Sequence, residues 1–343
     1  MTVILGLESS CDDTAAALVS DQRVILAEAV VGQNNAHQPY GGVVPEIAAR
    51  AHVEILPALI GKVLGEAKMS IQEVDAIAAT AGPGLIGGVM VALLAGKGLA
   101  LAARKPLLAI NHLEGHALSP RLADPTLCFP YLLLLVSGGH CQIVEVHAAG
   151  EYRRLATTID DAAGEAFDKA AKLLRLPYPG GPSLERLAET GDPGLVPLPR
   201  PLVGSKEPHF SFAGLKSAVQ RAVEQATYRP EDIAASFQQA VVDCLVDRTR
   251  AALEKTNVPT LVVAGGVAAN RSVRVALENL ADAYDRRFSV PPIALCTDNA
   301  AMIAWAGVER FASGRQDPLD VPARARWPLD QSAEKVRGAG VKA

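Results

Sequence analysis

The sequence predicts an α/β protein of two similar lobes with an active site in the cleft between them, and three observations lead there. Strand–glycine turn–strand units open near residue 10 and again near residue 137. Each is followed by further strand and helix patterns, the mark of layered α/β architecture. The length, 343 residues, suits two domains at about 100–200 residues apiece. Two lobes imply a cleft, the usual place for a ligand.

Each element has its own signal. Residues 3–7 form an apolar strand ending in the polar turn 8–14, and the apolar runs 15–19 and 23–31 continue a meander across Asp21-Gln22. Ile47, Ala51, Ile55, Leu59 and Val63 recur at helical spacing and predict a helix from about 44 to 66. Residues 74–81 read as a buried strand, 86–104 as a buried helix rich in Ala and Gly, and 107–110 as a strand leading into His112. Strands at 131–136 and 141–146 flank Ser137-Gly138-Gly139. Helical patterns cover 162–174 and 182–189, and a Pro-rich connector at 193–208 precedes helices at 212–224 and 233–255. A strand at 260–264, the Gly265-Gly266 turn, a helix at 267–280 and a last helix at 299–312 complete the pattern. The N-terminal lobe is therefore expected at 1–108, completed by a helix returning at about 299–314. The C-terminal lobe is expected at 109–298, with a tail at 315–343.

Composition narrows the function. Lys and Arg number 33 against 37 Asp and Glu, a net charge of −4, which argues against a protein coating nucleic acid non-specifically. Aromatics are 4% while Gly numbers 29 and Pro 23, so the core must be built from Ala, Leu, Val and Ile with many tight turns. Five cysteines, none in a C-x-x-C pair, fit a reducing, cytoplasmic setting. No secretory signal is visible at the N-terminus. Residues 76–96 carry no charge, yet Gly82-Pro83-Gly84 and Gly87-Gly88 would break a membrane helix, so strand, turn and helix is the better reading.

Several constellations carry chemistry. His112 and His116 lie four apart at a helix start, on one face, and can share a metal. The zinc-peptidase pattern is H-E-x-x-H, but here Glu114 is two residues from His112, about 200° round the helix and away from a metal face. Leu135, Val136, Ser137, Gly138 and Gly139 form a glycine turn off a buried strand, where backbone N–H groups can approach an anion; a plain hairpin turn reads the same way. Gly265 to Asn270 joins a strand to a helix N-terminus and suits a nucleotide or simply close packing. Gly82-Pro83-Gly84-Leu85-Ile86-Gly87 imitates a dinucleotide fingerprint but lacks the acidic residue about 20 positions on, so it reads as a tight loop. Asp12 and Asp13 sit in a polar turn and could accept a proton if buried. Asp298 precedes the last helix, where capping is the default and metal ligation requires the His pair nearby.

The order of these motifs closely resembles the universal tRNA threonylcarbamoyladenosine transferase family, bacterial branch, from about residue 3 to 314. The series runs from Gly6–Thr14 through Gly82-Pro83-Gly84, Asn111–His116 and Leu135–His140, then Tyr178–Pro182, Ser211–Lys216, Gly265–Asn270 and Asp298–Met302. The resemblance implies an actin/hsp70/sugar-kinase-like (ASKHA) fold. It implies transfer of a threonylcarbamoyl group from threonylcarbamoyl-AMP to N6 of the adenosine 3′ of the anticodon, in tRNAs reading codons that begin with A. By matching positions, His112, His116 and Asp298 would bind one divalent metal, iron or zinc. The adenylate would lie against Leu135 to Gly139, Asp168, Gly181 and Asn270. Where the family often has Asp after Gly-Gly-Pro, Glu185 stands here, and its longer side chain must fold back to reach a ribose. Asp12 or Asp13 would align the amine and take its proton.

The implied partners are tRNA, a paralogous non-catalytic protein of the same fold and a small ATPase, with no membrane. Arg200, Lys206, Lys216, Arg221 and the tail from Arg315 to Lys342 are candidates for the tRNA face. A metabolite kinase and a non-catalytic ATP-binding scaffold are the rival readings of the same fold. A kinase would hold Mg²⁺ through carboxylates and water rather than paired imidazoles.

Overall fold

The computed structural model describes residues 1–40, 42–334 and 336. The described residues form two compact units, the first made of 1–40, 42–128, 148–151 and 297–331, the second of 129–147, 152–296, 332–334 and 336. The first unit thus extends beyond the expected boundary at 108, because the helix that begins at His112 packs within it.

In the first unit, β1 (Val3–Glu8), β2 (Asp13–Ser20) and β3 (Ile25–Gly32) form the expected meander. A single turn, α1 (Asn34–His37), precedes α2 (Pro45–Glu66), which starts with Pro at its first position, where a missing N–H is harmless. Strand β4 (Ala76–Gly82), helix α3 (Ile86–Ala103), strand β5 (Leu107–Asn111) and helix α4 (His112–Ala123) follow. The sheet order is β3-β2-β1-β4-β5, with β1, β4 and β5 parallel. Both faces of the central strands are covered, which explains why β1 and β4 read as unbroken apolar runs.

Helix α3 departs from the expectation of a buried helix. One face, carrying Val89, Ala92, Leu93 and Gly96, is packed against β4 and α2, while Ile86, Met90, Leu94 and Leu101 are exposed. By length and composition it is apolar enough to cross a membrane, as the core helices of many soluble proteins are. The Gly82–Gly87 segment that opens it is a packing loop. Leu85 donates its N–H to the Ser10 carbonyl at 2.8 Å, and the N–H of Gly84 reaches Ala325 O at 3.3 Å.

The second unit repeats the topology. Strands β6 (Tyr131–Val136), β7 (Cys141–Ala148) and β8 (Glu151–Thr157) are succeeded by α5 (Ala163–Leu173), α6 (Gly180–Ala188), α7 (Ala213–Gln225) and α8 (Pro230–Leu253). Strand β9 (Thr260–Ala264), a 3₁₀ turn at Gly266–Ala269, α9 (Arg271–Ala283), β10 (Arg287–Ser289) and α10 (Ile293–Cys296) complete it. The order β8-β7-β6-β9-β10, with β6 antiparallel to β7 and parallel to β9, matches the first sheet strand for strand. The helix expected at 267–280 is broken at Asn270, which ends the 3₁₀ turn and caps α9.

The chain then returns to the first unit as α11 (Ala300–Ala312), which packs on β1, β2, β4 and α4. The helix is buried all round from Ala300 to Val308, and it meets the sheet through the small residues Ala300, Ala304 and Gly307, so it lies close against the strands. A Cβ on Gly307 would stand 2.7 Å from that of Ala78, and one on Gly6 2.6 Å from the backbone N of Ala304. Small residues on both sides set this spacing, as the aromatic-poor composition requires.

Candidate metal centre and nucleotide turns

The metal candidates meet in the first unit. Asn111 ends β5 and caps α4, accepting the N–H of Leu113 at 2.9 Å, so the helix begins at His112 and aims its first turn into the interior. His112 and His116 are buried, with ring centroids 4.8 Å apart at 87°. Asp298 arrives just before Asn299, which caps α11 by accepting the Met302 N–H at 2.8 Å. Capping therefore falls to Asn299 and leaves the Asp298 carboxylate available. Its Oδ1 lies 3.1 Å from His116 Nε2 and 3.5 Å from His112 Nε2, and one ligand atom from each residue falls within 4.8 Å of the others.

These residues fit a divalent ion. Two ring nitrogens converge on one carboxylate oxygen, and the Asp298 side chain keeps 23% of its surface open, leaving an approach for an exchangeable ligand. His116 Nδ1 is buried without a hydrogen-bond partner among the described residues. Burial works against ionisation of both groups, yet Asp298 and Glu8 hold His112 well above its ordinary pKa, and the two imidazoles hold Asp298 well below its own. Imidazole and carboxylate together suit zinc or iron. Glu114 is turned elsewhere, buried and 3.8 Å from Arg310, as its helical position predicts.

The acidic turn follows β1 directly. The N–H of Gln33 donates to Asp12 O at 3.1 Å, and the buried His52 ring reaches Cys11 O at 3.1 Å and Thr14 Oγ1 at 2.8 Å. Asp13 is pushed up to about 7, by burial first and then by the Asp298, Asp12 and Glu8 carboxylates.

The second unit gathers the remaining candidates into a ring of contacts. Leu135 and Val136 are fully buried, and their backbone pairs with Gln142, Cys141 and Ala264, so they support the turn rather than face a ligand with side chains. Ser137 Oγ accepts the His140 N–H at 3.1 Å and closes the turn. A Cβ on Gly138 or Gly139 would meet no atom within 4 Å. Gly164, at the start of α5, donates to Ser137 O at 3.2 Å. On the same helix, Asp168 Oδ1 accepts the N–H of Gly180 at 2.8 Å, which fixes the start of α6 beside Gly181. From α6, Glu185 folds back to accept the Arg271 N–H at 2.7 Å, where α9 begins. Asn270 accepts from Val273 at 3.0 Å and donates to Gln238 at 2.8 Å. Gly265 closes the ring at φ +95°, because a side chain there would strike the Val136 carbonyl. Open glycines and the N-termini of α5, α6 and α9 make this an anion-friendly surface.

Comparison with known proteins now bears on this geometry. The family model of tRNA N6-adenosine threonylcarbamoyltransferase matches residues 24–305. A curated protein of that name from Sphingopyxis alaskensis is 70% identical over 344 residues, covering 100% of both chains. Another from Novosphingobium aromaticivorans is 65% identical over 350 residues, again covering 100% of each.

The chain belongs to the tRNA N6-adenosine threonylcarbamoyltransferase family.

Solved structures share the duplicated α/β fold at low identity. Component A of the Acidaminococcus fermentans (R)-2-hydroxyglutaryl-CoA dehydratase aligns at TM-score 0.55 and 18% identity, over 91% of this chain and 100% of that one. HypF of T. kodakarensis aligns at 0.62 and 14%, over 91% of this chain and 48% of its own.

Within this threonylcarbamoyltransferase-family chain, sequence reasoning had Glu8 and Ser10 as members of the polar turn at 8–14 without their partner, and missed Thr80 and Gln238. Glu8, Thr80 and Ser10 stand behind His112, and Gln238 behind Asn270. Asp160 accepts the N–H groups of Phe212 and Ala213 at 2.7 and 3.3 Å, which accounts for Ser211-Phe212-Ala213 as the start of α7. The tRNA-face candidates differ among themselves. Arg200 pairs with Asp243 at 2.9 Å, whereas Lys206, Lys216 and Arg221 are exposed. Of the tail candidates, Lys335, Arg337 and Lys342 lie outside the described residues.

Proposed function

We propose that this chain transfers a threonylcarbamoyl group from threonylcarbamoyl-AMP to the N6 amine of the adenosine 3′ of the anticodon, in tRNAs reading codons that begin with A. The observation that carries this is identity of 65–70% along the whole chain with proteins of that name. The N6 amine attacks the carbamoyl carbon, the C–O bond to phosphate breaks, AMP leaves and the amine's proton passes to a base. The donor is a mixed anhydride and already activated, so alignment and charge stabilisation supply most of what is needed.

In this reading His112, His116 and Asp298 hold one divalent ion, iron in preference to zinc. When bound, the ion supplies positive charge against the phosphate of the leaving AMP. Leu135 to Gly139, Asp168, Gly181 and Asn270 cradle the adenylate, with backbone N–H groups of Gly138 and Gly139 directed at anionic oxygen. Glu185 positions the start of α9, and its bond to Arg271 supports that role over a ribose contact. Asp12 aligns the amine, and Asp13, with an affinity for protons near neutrality, accepts the proton.

The substrate is tRNA, and the proposed partners are a paralogous non-catalytic protein of the same fold and a small ATPase. The exposed apolar faces of α2 and α3, with Val53, Met90 and Leu94, support a protein partner. Five free cysteines support a cytoplasmic location. The lobes are assigned to the two compact units, so α4 and residues 315–331 belong to the N-terminal lobe with the returning α11, and 129–296 make the bulk of the other. The test combines purified chain, partners, metal, threonylcarbamoyl-AMP and unmodified tRNA. Expected are AMP release and a mass increase on one adenosine; complete reaction mixtures that leave the tRNA unmodified overturn the proposal.

A further inference from the structure

We propose that Glu8 is a positioning residue for the His112 imidazole, fixing which ring nitrogen is free to ligate a metal. The inference rests on the metal reading above and extends it to a residue outside the three-ligand group. Glu8 ends β1 with its side chain fully buried. Oε1 accepts the Ser10 N–H at 2.5 Å; Oε2 accepts the Thr80 hydroxyl at 2.5 Å and lies 3.0 Å from His112 Nδ1. An ionised carboxylate only accepts hydrogen bonds, so this last contact requires the proton to sit on Nδ1. Ser10 Oγ, 3.1 Å from the same nitrogen, shares that N–H. A neutral ring protonated at Nδ1 carries its lone pair on Nε2, the atom that faces Asp298. The opposite tautomer would set a lone pair against a buried carboxylate.

The arrangement is one-sided. His116 has no comparable support, since its Nδ1 lacks a hydrogen-bond partner among the described residues. One imidazole is therefore oriented from behind, by a strand residue 104 positions away in sequence. Outer partners of this kind change metal affinity by about 10–100-fold.

The test measures Zn²⁺ affinity of the full-length chain against a chromophoric chelator, beside Glu8→Gln and Thr80→Val, with circular dichroism to report folding. Nitrogen NMR of the imidazoles in the Zn²⁺-loaded chain reports which ring nitrogen carries the proton. Expected are one Zn²⁺ per wild-type chain, a proton on His112 Nδ1, and affinity lower by about 10–100-fold in Glu8→Gln. Thr80→Val, which leaves Glu8 in contact with His112, should lose only a few-fold. Wild-type uptake with unchanged affinity in Glu8→Gln overturns the role of Glu8 alone, whereas a wild-type chain that takes up no Zn²⁺ overturns the metal reading itself. If Glu8→Gln fails to fold, the wild-type spectrum decides: an unprotonated His112 Nδ1 overturns the proposal and a protonated one supports it.

Discussion

At the scale of single residues, Asp298 is where the first unit concentrates its charge. One oxygen faces two imidazole nitrogens at 3.1 and 3.5 Å, so removing either ring leaves a mostly buried carboxylate with half its company. His116→Ala is expected to lose metal on dialysis while keeping its helix content, and elemental analysis beside circular dichroism checks both. Asp13 makes a pH prediction. Its pKa stands at about 7 in the fold, against about 3.9 in an unfolded chain. A raised carboxyl binds its proton more tightly when folded, so stability falls as pH rises from about 4 to 7, and the whole penalty is present above 7. In metal-free protein, Asp13→Asn should therefore raise the melting temperature at pH 8 and leave it unchanged near pH 3.5. Equal melting curves for the two chains across that range would contradict the assignment.

At the scale of elements, capping asparagines recur where a helix starts beside a candidate group. Asn111 opens α4 at His112, Asn299 opens α11 after Asp298, and Asn270 opens α9 while tying it to α8. Asn270→Ala removes both the cap and the partner of Gln238, and a loss of about 1–2 kcal/mol is expected, read from denaturant unfolding. Elements with one-residue chemistry were legible in the sequence for the same reason they are stable. The central strands β1, β4, β6 and β9 are buried on both faces and read as apolar runs, and the His pair shows in the four-residue helical repeat. What stayed hidden depended on distant partners. Glu8 looks like one polar residue among several until His112 arrives beside it, and β8, with Arg153 and Arg154 half in water, carries no apolar run to announce a strand. The break at Asn270 was hidden because residues 267–280 keep a helical apolar repeat across a backbone that turns.

At the scale of the whole molecule, net charge and surface decide how the protein meets larger partners. A chain of net charge −4 offers few cations to a polyanion, and tRNA affinity of the isolated chain should be weak and fall steeply with salt. Filter binding at increasing KCl checks this; tight binding at high salt would argue against it. The apolar face of α3 is expected to matter for assembly rather than chemistry. Leu94→Glu should abolish capture of the proposed protein partner and leave Zn²⁺ binding intact, because Leu94 is 55% exposed and its helix supplies no metal candidate.

The return of α11 to the first unit has a consequence for synthesis. A ribosome releases β1 to α4 early, yet the sheet waits for its covering helix, and His112 and His116 wait for Asp298, until the whole second unit has emerged. Chains that stop before residue 298 carry two of the three metal candidates and leave uncovered the sheet face that holds Ile4, Gly6, Ala78 and Leu108. Such products present an apolar surface to quality control. The three metal candidates can therefore meet only after residue 298 has emerged, so the complete ligand group is a property of the finished chain.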